Sequence, residues 1–128
     1  MRQSNRDGLI IIVVDDCDDI RSLLRVTLEM RGYLVLEAEN GQVAVELAKQ
    51  KCPDLILMDV NMPVLDGLAA TRLLRELEEM CRVPIIAVSA NSKDSHKADA
   101  LAAGCNEYLT KPVNFKELDH LLISLLAA

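Results

Sequence analysis

The sequence predicts an α/β domain built on a parallel sheet, and three observations predict it. Five short apolar runs alternate with segments of helical period. That alternation points to parallel strands joined by right-handed helical crossovers. Three of the runs, Leu9–Val14, Leu55–Met58 and Ile85–Val88, are apolar at every position rather than at every second one. Strands covered by helices on both faces read in this way, because neither side of the pleat meets water. Finally, chemically able residues cluster just after the runs, and open sheets of this class gather their chemistry beyond the carboxyl ends of the strands.

Taken in order, residues 1–8 (MRQSNRDG) are polar and aperiodic and are expected to form a loose tail, leaving 9–128 as the domain. The first strand is Leu9–Val14. Ile20, Leu23, Leu24, Thr27 and Leu28 then follow a helical stripe, stopped by Gly32. Tyr33–Glu37 is the second strand. A helix over Gly41–Gln50 sets Val43, Ala44, Leu47 and Ala48 on one face. Leu55–Met58 is the third strand, and Asp66 precedes a helical period over Leu68–Leu77. Ile85–Val88 is the fourth strand. A more polar helix, Ser92–Ala103, ends at Gly104, with Ala98, Leu101 and Ala102 as a thin apolar face. Glu107–Leu109 is the last strand. The final helix opens at Asn114, with Glu117 at capping-box distance, and runs through Leu118, Leu121, Leu122 and Leu125.

Length and composition narrow the function. At 128 residues the chain suits one domain. Its net charge of −6 argues against sequence-independent nucleic-acid binding and against an anionic membrane surface. With one Phe, two Tyr and no Trp, it lacks stacking platforms for single strands and must build its core from aliphatic side chains. The four cysteines, at 17, 52, 81 and 105, form no metal-type or redox-type pair. They read as reduced thiols of a cytoplasmic protein, each filling core space. The longest early apolar run is too short for a signal sequence or a membrane span.

The strand ends carry Asp15 and Asp16, then Asp59, then Ser89, then Lys111 and Pro112. Two carboxylates about 4 Å apart repel by roughly 4 kcal/mol at an effective dielectric of 20, so three of them call for a cation. Hard carboxylate oxygens favour Mg²⁺, which completes its shell with water and phosphate oxygens. No Walker A loop and no GxGxxG is present, so a tightly held nucleotide is not expected. A carboxylate can itself be the nucleophile of phosphoryl transfer.

The segment DLILMDVNMPVLDG (54–67) closely resembles the phosphoacceptor segment of response-regulator receiver domains. Asp15-Asp16, Ala87-Val88-Ser89-Ala90 and Tyr108-Leu109-Thr110-Lys111-Pro112 match the family's other signatures in the right order, and the resemblance covers roughly residues 9–127. It implies a flavodoxin-like, doubly wound sheet of five parallel strands in the order 2-1-3-4-5, with helices on both faces. It implies Asp59 as phosphoacceptor. Mg²⁺, with Mn²⁺ as an option, would be held by Asp16, Asp59 and the Asn61 carbonyl, and by Asp15 through water. Lys111 and Ser89 would contact the phosphoryl group, Tyr108 would be the switch aromatic, and the Lys111–Pro112 bond would be cis. Ser89 stands where Thr is commoner, and Asn91 is either a modulator of phosphate lifetime or a helix cap. A sensor histidine kinase or histidine phosphotransfer protein is the implied donor. A partner or output domain would be met through the fourth helix, fifth strand and fifth helix, and a homodimer is a further option.

Two rival readings stay open at this point. One is a small Mg²⁺-dependent phosphohydrolase with Asp59 as nucleophile, although Asn61 stands where such enzymes carry a second acid. The other is a degenerate receiver that only binds partners. His96 and His120 are expected on helix surfaces. The chain is expected to be either a stand-alone receiver or one drawn from a longer regulator or hybrid kinase. The last helix is apolar beyond one stripe, so part of it is expected to meet another surface.

Overall fold

The computed structural model describes residues 8–62, 65–90 and 93–126. Its strands are β1 (Ile10–Val14), β2 (Leu34–Ala38), β3 (Leu55–Asp59), β4 (Ile85–Ser89) and β5 (Glu107–Thr110). The helices are α1 (Asp18–Glu29), α2 (Gly41–Lys51), α3 (Gly67–Glu76), α4 (Asp94–Ala103) and α5 (Phe115–Leu126), with a 3₁₀ turn at Glu78–Met80. All pairings are parallel and the order is β2-β1-β3-β4-β5. This is the doubly wound, flavodoxin-like sheet that the sequence pattern and the resemblance implied.

Alternate residues of the buried strands feed two cores, as the period of two requires. Ile12, Val14, Ile56, Met58, Ile85 and Ala87 pack on the side of α2, α3 and α4 with Ala44, Leu74 and Ala100. Ile11, Val13, Leu55, Leu57, Ile86 and Val88 pack on the opposite side with Leu24, Leu28, Leu118 and Leu122 of α1 and α5. All five residues of β3 and of β4 are buried. Each fully buried Leu or Ile contributes about 1.5–3 kcal/mol by leaving water.

Side-chain caps start three of the helices. Asn40, Asp66 and Asn114 accept from the N–H groups of Val43, Ala69 and Glu117 at 2.9, 2.8 and 3.0 Å. Gly32 and Gly104 close α1 and α4 at φ of 96° and 117°, in the left-handed region that glycine enters without strain.

Several sequence expectations shift. Tyr33 precedes β2 instead of opening it, because its N–H turns back to the Leu28 carbonyl at 3.3 Å and its ring is buried. In α1 the buried residues are Leu24 and Leu28, while Ile20 and Leu23 stay exposed. In α4 the buried residues are Ala100 and Ala103, and Ala98, Leu101 and Ala102 face water. Alanines at 98, 100, 102 and 103 suit either side, so the pattern did not select a face. Only Cys105 fills core space; Cys17, Cys52 and Cys81 are exposed at helix ends and turns. The expected tail lies, up to residue 7, outside the described residues, as do Asn91 and Ser92. Among the described residues no helix is long and apolar enough to cross a membrane.

Candidate functional site

The parallel sheet points every strand's carboxyl end to the same edge, and each site side chain sits at or just past such an end. Asp15 and Asp16 follow β1, Asp59 ends β3, Ser89 ends β4 and Lys111 follows β5. One carboxylate oxygen from each of Asp15, Asp16 and Asp59 can be chosen so that all lie within 4.8 Å of one another. Asp15, Asp59 and Ser89 are buried and Asp16 is exposed. The cluster is thus walled by protein on one side and open to solvent on the other.

Local structure fixes the acids. Asp15 Oδ1 accepts the Cys17 N–H at 2.9 Å, and Asp59 Oδ1 accepts the Asn61 N–H at 3.1 Å. Each carboxylate is therefore held by the turn that follows its own strand. Lys111 Nζ lies 3.2 Å from Asp59 Oδ2 and 3.7 Å from Asp15 Oδ2. Its position is set by its backbone, whose N–H bonds to the Ser89 carbonyl at 2.8 Å. The Lys111–Pro112 bond is cis. Ser89 Oγ donates to Asn61 Oδ1 at 3.3 Å, which joins the ends of β3 and β4 across the site.

The electrostatics follow from this crowding. Burial, and then the charge of Asp15, push the Asp59 carboxyl above its ordinary range, against the pull of Lys111 and the Asn61 N–H. For Lys111, burial works downward, but the charges of Asp59, Asp15 and Asp16 outweigh it and its ammonium is held above its ordinary range. One ammonium faces three carboxylates, so negative charge remains in excess. Asp59 Oδ2 is buried and, apart from the ammonium 3.2 Å away, no donor among the described residues is directed at it. Hard oxygens, excess negative charge and an under-bonded buried oxygen suit a divalent cation of the Mg²⁺ type.

The structure brings together Asp15, Asp16, Asp59, Asn61, Ser89 and Lys111. Tyr108 stands apart from them, half-buried on β5 opposite Ala87 and packed on the side of α4. His96 and His120 are exposed on α4 and α5. Two contributors escaped the sequence reading. A Cβ on Gly67 would lie 2.2 Å from the Asp59 carbonyl oxygen, so only glycine lets α3 start over the end of β3. The signal available was a glycine at the first position of a helix, where it weakens the helix for no local reason. Arg21 is the other, and its side chain reaches the Asp15 carbonyl at 2.7 Å.

Comparison with known proteins places this geometry. The sequence matches the response regulator receiver domain family over residues 11–123. The chain belongs to that family. Among curated proteins, this receiver domain is 41% identical to Protein PilH of Pseudomonas aeruginosa, over 84% of this chain and 89% of PilH. It is 40% identical to the phosphate regulon transcriptional regulatory protein PhoB of the same organism, over 87% of this chain. It spans 48% of PhoB's length, so it corresponds to about half of that regulator.

Solved structures agree. The receiver domain of the sensor histidine kinase PA1611 from Pseudomonas aeruginosa, solved with a magnesium ion coordinated in its active site cleft, superposes with a TM-score of 0.88 at 38% identity. That match covers 94% of this chain and 99% of the other. The co-crystal structure of the Saccharomyces cerevisiae histidine phosphotransfer protein Ypd1 with the receiver domain of Ssk1 matches with a TM-score of 0.86 at 31% identity, covering 93% of this chain and 89% of that one.

Proposed function

We propose that this receiver domain takes a phosphoryl group from a phosphohistidine onto Asp59, with Mg²⁺ held by its acidic edge. The observation that carries the reading is the buried, under-bonded Asp59 carboxylate 3.2 Å from Lys111 and clustered with Asp15 and Asp16. A carboxylate oxygen of Asp59 attacks phosphorus, the P–N bond to the donor imidazole breaks, and the imidazole nitrogen leaves with the bonding pair. Charge is spread over the three equatorial oxygens of the transferring group, so positioning and neutralisation are what the protein must supply. Lys111 supplies a fixed positive charge, and Ser89 a neutral donor once its hydroxyl leaves Asn61. Asp16, Asp59 and the Asn61 carbonyl would hold the cation, with Asp15 reaching it through water, and a bound Mg²⁺ would supply positive charge between nucleophile and phosphate. Mn²⁺, also at home among carboxylate oxygens, would fit the same residues.

A cavity of about 220 Å³ beside the site supports a protein donor. Ile20, Leu23, Val113 and Phe115 wall it with apolar surface, and Asp15 and Lys111 stand at its polar end. A donor presenting a phosphohistidine from an apolar helix face finds both surfaces it needs. The phosphorylated domain then acts in the cytoplasm through α4, β5 and α5. Asp59 gains about −1.5 to −2 charge as its phosphate, Ser89 turns toward it, and Tyr108 follows. α4 is suited to respond, since it buries only Ala100 and Ala103 and its N-cap residue Lys93 makes no side-chain cap. The receiver unit begins at Leu9.

Incubation with a phosphorylated histidine phosphotransfer protein and Mg²⁺ should add one phosphoryl group to the intact chain by mass spectrometry, removable by hydroxylamine. Chelator or Asp59→Ala should abolish it. A wild-type chain that gains no phosphoryl group, or an Asp59→Ala chain that gains as much, refutes the assignment.

A further inference from the structure

Arg21 engages three partners beside the site, and the proposed transfer chemistry does not use it. Its guanidinium donates in three directions: to the Asp15 carbonyl at 2.7 Å, to Glu37 Oε1 at 2.9 Å and to Asp18 Oδ1 at 2.6 Å. Only 14% of the side chain is exposed, although its Asp18 partner is open to water. Its backbone N–H bonds to the Cys17 carbonyl at 2.9 Å. One residue of α1 thus ties the end of β1 to β2 and to the first turn of its own helix.

We infer that Arg21 is a positioning residue for the cation, acting through the backbone of the Asp15-Asp16 turn. The inference rests on the Mg²⁺-dependent phosphoacceptor reading given above. The Asp15 carbonyl belongs to the peptide that leads into Asp16. The Asp15 N–H is already tied to the Ala38 carbonyl at 3.1 Å. The Arg21 bond fixes the other side of the residue, and with it the direction in which the chain delivers Asp16. Asp16 needs this help because it is exposed and no core packing holds it. Mg²⁺ demands a near-ideal octahedron with short bonds and forgives little displacement of a ligand. A planar fork with donors in fixed directions meets three acceptors in a way that a lysine ammonium cannot.

The guanidinium also brings a positive charge near the carboxylates, and this gives the inference a sign. A residue acting only through its charge would repel Mg²⁺, so neutralising it would tighten binding. A residue acting by position does the reverse. Mg²⁺ affinity of the full chain would be measured by calorimetry for wild type, Arg21→Met, Arg21→Lys, Glu37→Gln and Arg25→Met, with each variant's melting temperature taken in chelator.

Arg21→Met is expected to weaken Mg²⁺ about tenfold or more, the range seen when the groups orienting metal ligands are removed. Arg21→Lys, with its charge kept and its fork lost, should weaken Mg²⁺ in the same direction. Glu37→Gln should do so by less. Arg25 also pairs with Glu37, at 2.7 Å, but makes no bond to Asp15; Arg25→Met should leave the affinity unweakened. Arg21 variants that melt lower yet bind Mg²⁺ as tightly as wild type, or more tightly, overturn the inference. Should Arg21→Met fail to fold, Arg21→Lys and Glu37→Gln decide by the same criterion. A wild-type chain that binds no Mg²⁺ refutes the underlying reading itself, a result distinct from intact wild-type binding with indifferent variants.

Discussion

Gly67 lies so close beneath Asp59 that a Cβ on it would sit 2.2 Å from the Asp59 carbonyl oxygen and 2.9 Å from Met58 Cγ. Its N–H donates to the Val60 carbonyl at 3.2 Å, so α3 begins as a lid on the end of β3. Helix propensity alone would favour alanine there by about 1 kcal/mol. The clash with backbone runs the other way and is larger. Gly67→Ala is expected to lose about 1–3 kcal/mol in urea denaturation and to slow phosphorylation by displacing Asp59. An alanine variant as stable and as fast as wild type would show that the lid has room to shift.

Lys111 stands 3.2 Å from Asp59 and 3.7 Å from Asp15, against the same carboxylates proposed to hold the cation, and so would compete with it. Lys111→Met is therefore expected to bind Mg²⁺ at least as tightly as wild type while losing most of its phosphoryl transfer. Calorimetry and a phosphorylation time course separate the two effects. Loss of Mg²⁺ binding in this variant would mean that the lysine builds the site instead of competing for it.

Asp59 should make the metal-free protein sensitive to pH. Burial and the Asp15 charge raise its carboxyl above the ordinary range. An acid whose folded pKa exceeds its unfolded one holds its proton more firmly when folded, so its ionisation opposes folding. The opposition is complete above the raised folded pKa, fades as pH falls through it, and is gone below the unfolded value. In chelator, Asp59→Asn is expected to melt above wild type at neutral pH, with the gap closing toward acid. A gap that widens in acid would reverse the sign assigned here.

Ser89 and Tyr108 should separate chemistry from switching. Ser89 Oγ is shared with Asn61 at 3.3 Å, and Ser89→Ala removes one neutral donor while leaving every carboxylate and Lys111 in place. Phosphorylation is expected to continue at a reduced rate, with a stability change of about 1 kcal/mol. The chain has two tyrosines and no tryptophan, and Tyr33 is buried, so Tyr108 is the one positioned to change surroundings. The tyrosine fluorescence change on phosphorylation should be lost in Ser89→Ala and in Tyr108→Phe. Persistence of that change in both variants would assign it to Tyr33.

Hydrogen exchange should find α4 the least protected helix before phosphorylation. Its outward residues include every described one from Lys93 to Asp99, whereas Leu24 and Leu28 anchor α1, and Leu118 and Leu122 anchor α5. Protection of α4 equal to that of α5 would remove the basis for assigning it the response.

Sequence by itself determined the strands, their burial on both faces and the residues at their ends. Runs such as Leu55–Met58 can be satisfied only between two helical layers, and parallel strands send Asp15, Asp59, Ser89 and Lys111 to one edge whatever the details of packing. The tertiary structure decided what depends on residues far apart in the chain. α4 carries alanines on more than one face, and only the neighbours of Ala100 and Ala103 chose between them. Cys105 became core and the other three cysteines did not, because isolated thiols have no period to read. Gly67 is required by a carbonyl eight residues earlier, and Arg21 is oriented by Glu37 on the neighbouring strand. The net charge divides in the same way. The composition carries a surplus of negative charge, and the fold draws one oxygen from each of three carboxylates within 4.8 Å of one another, where mutual repulsion favours a cation.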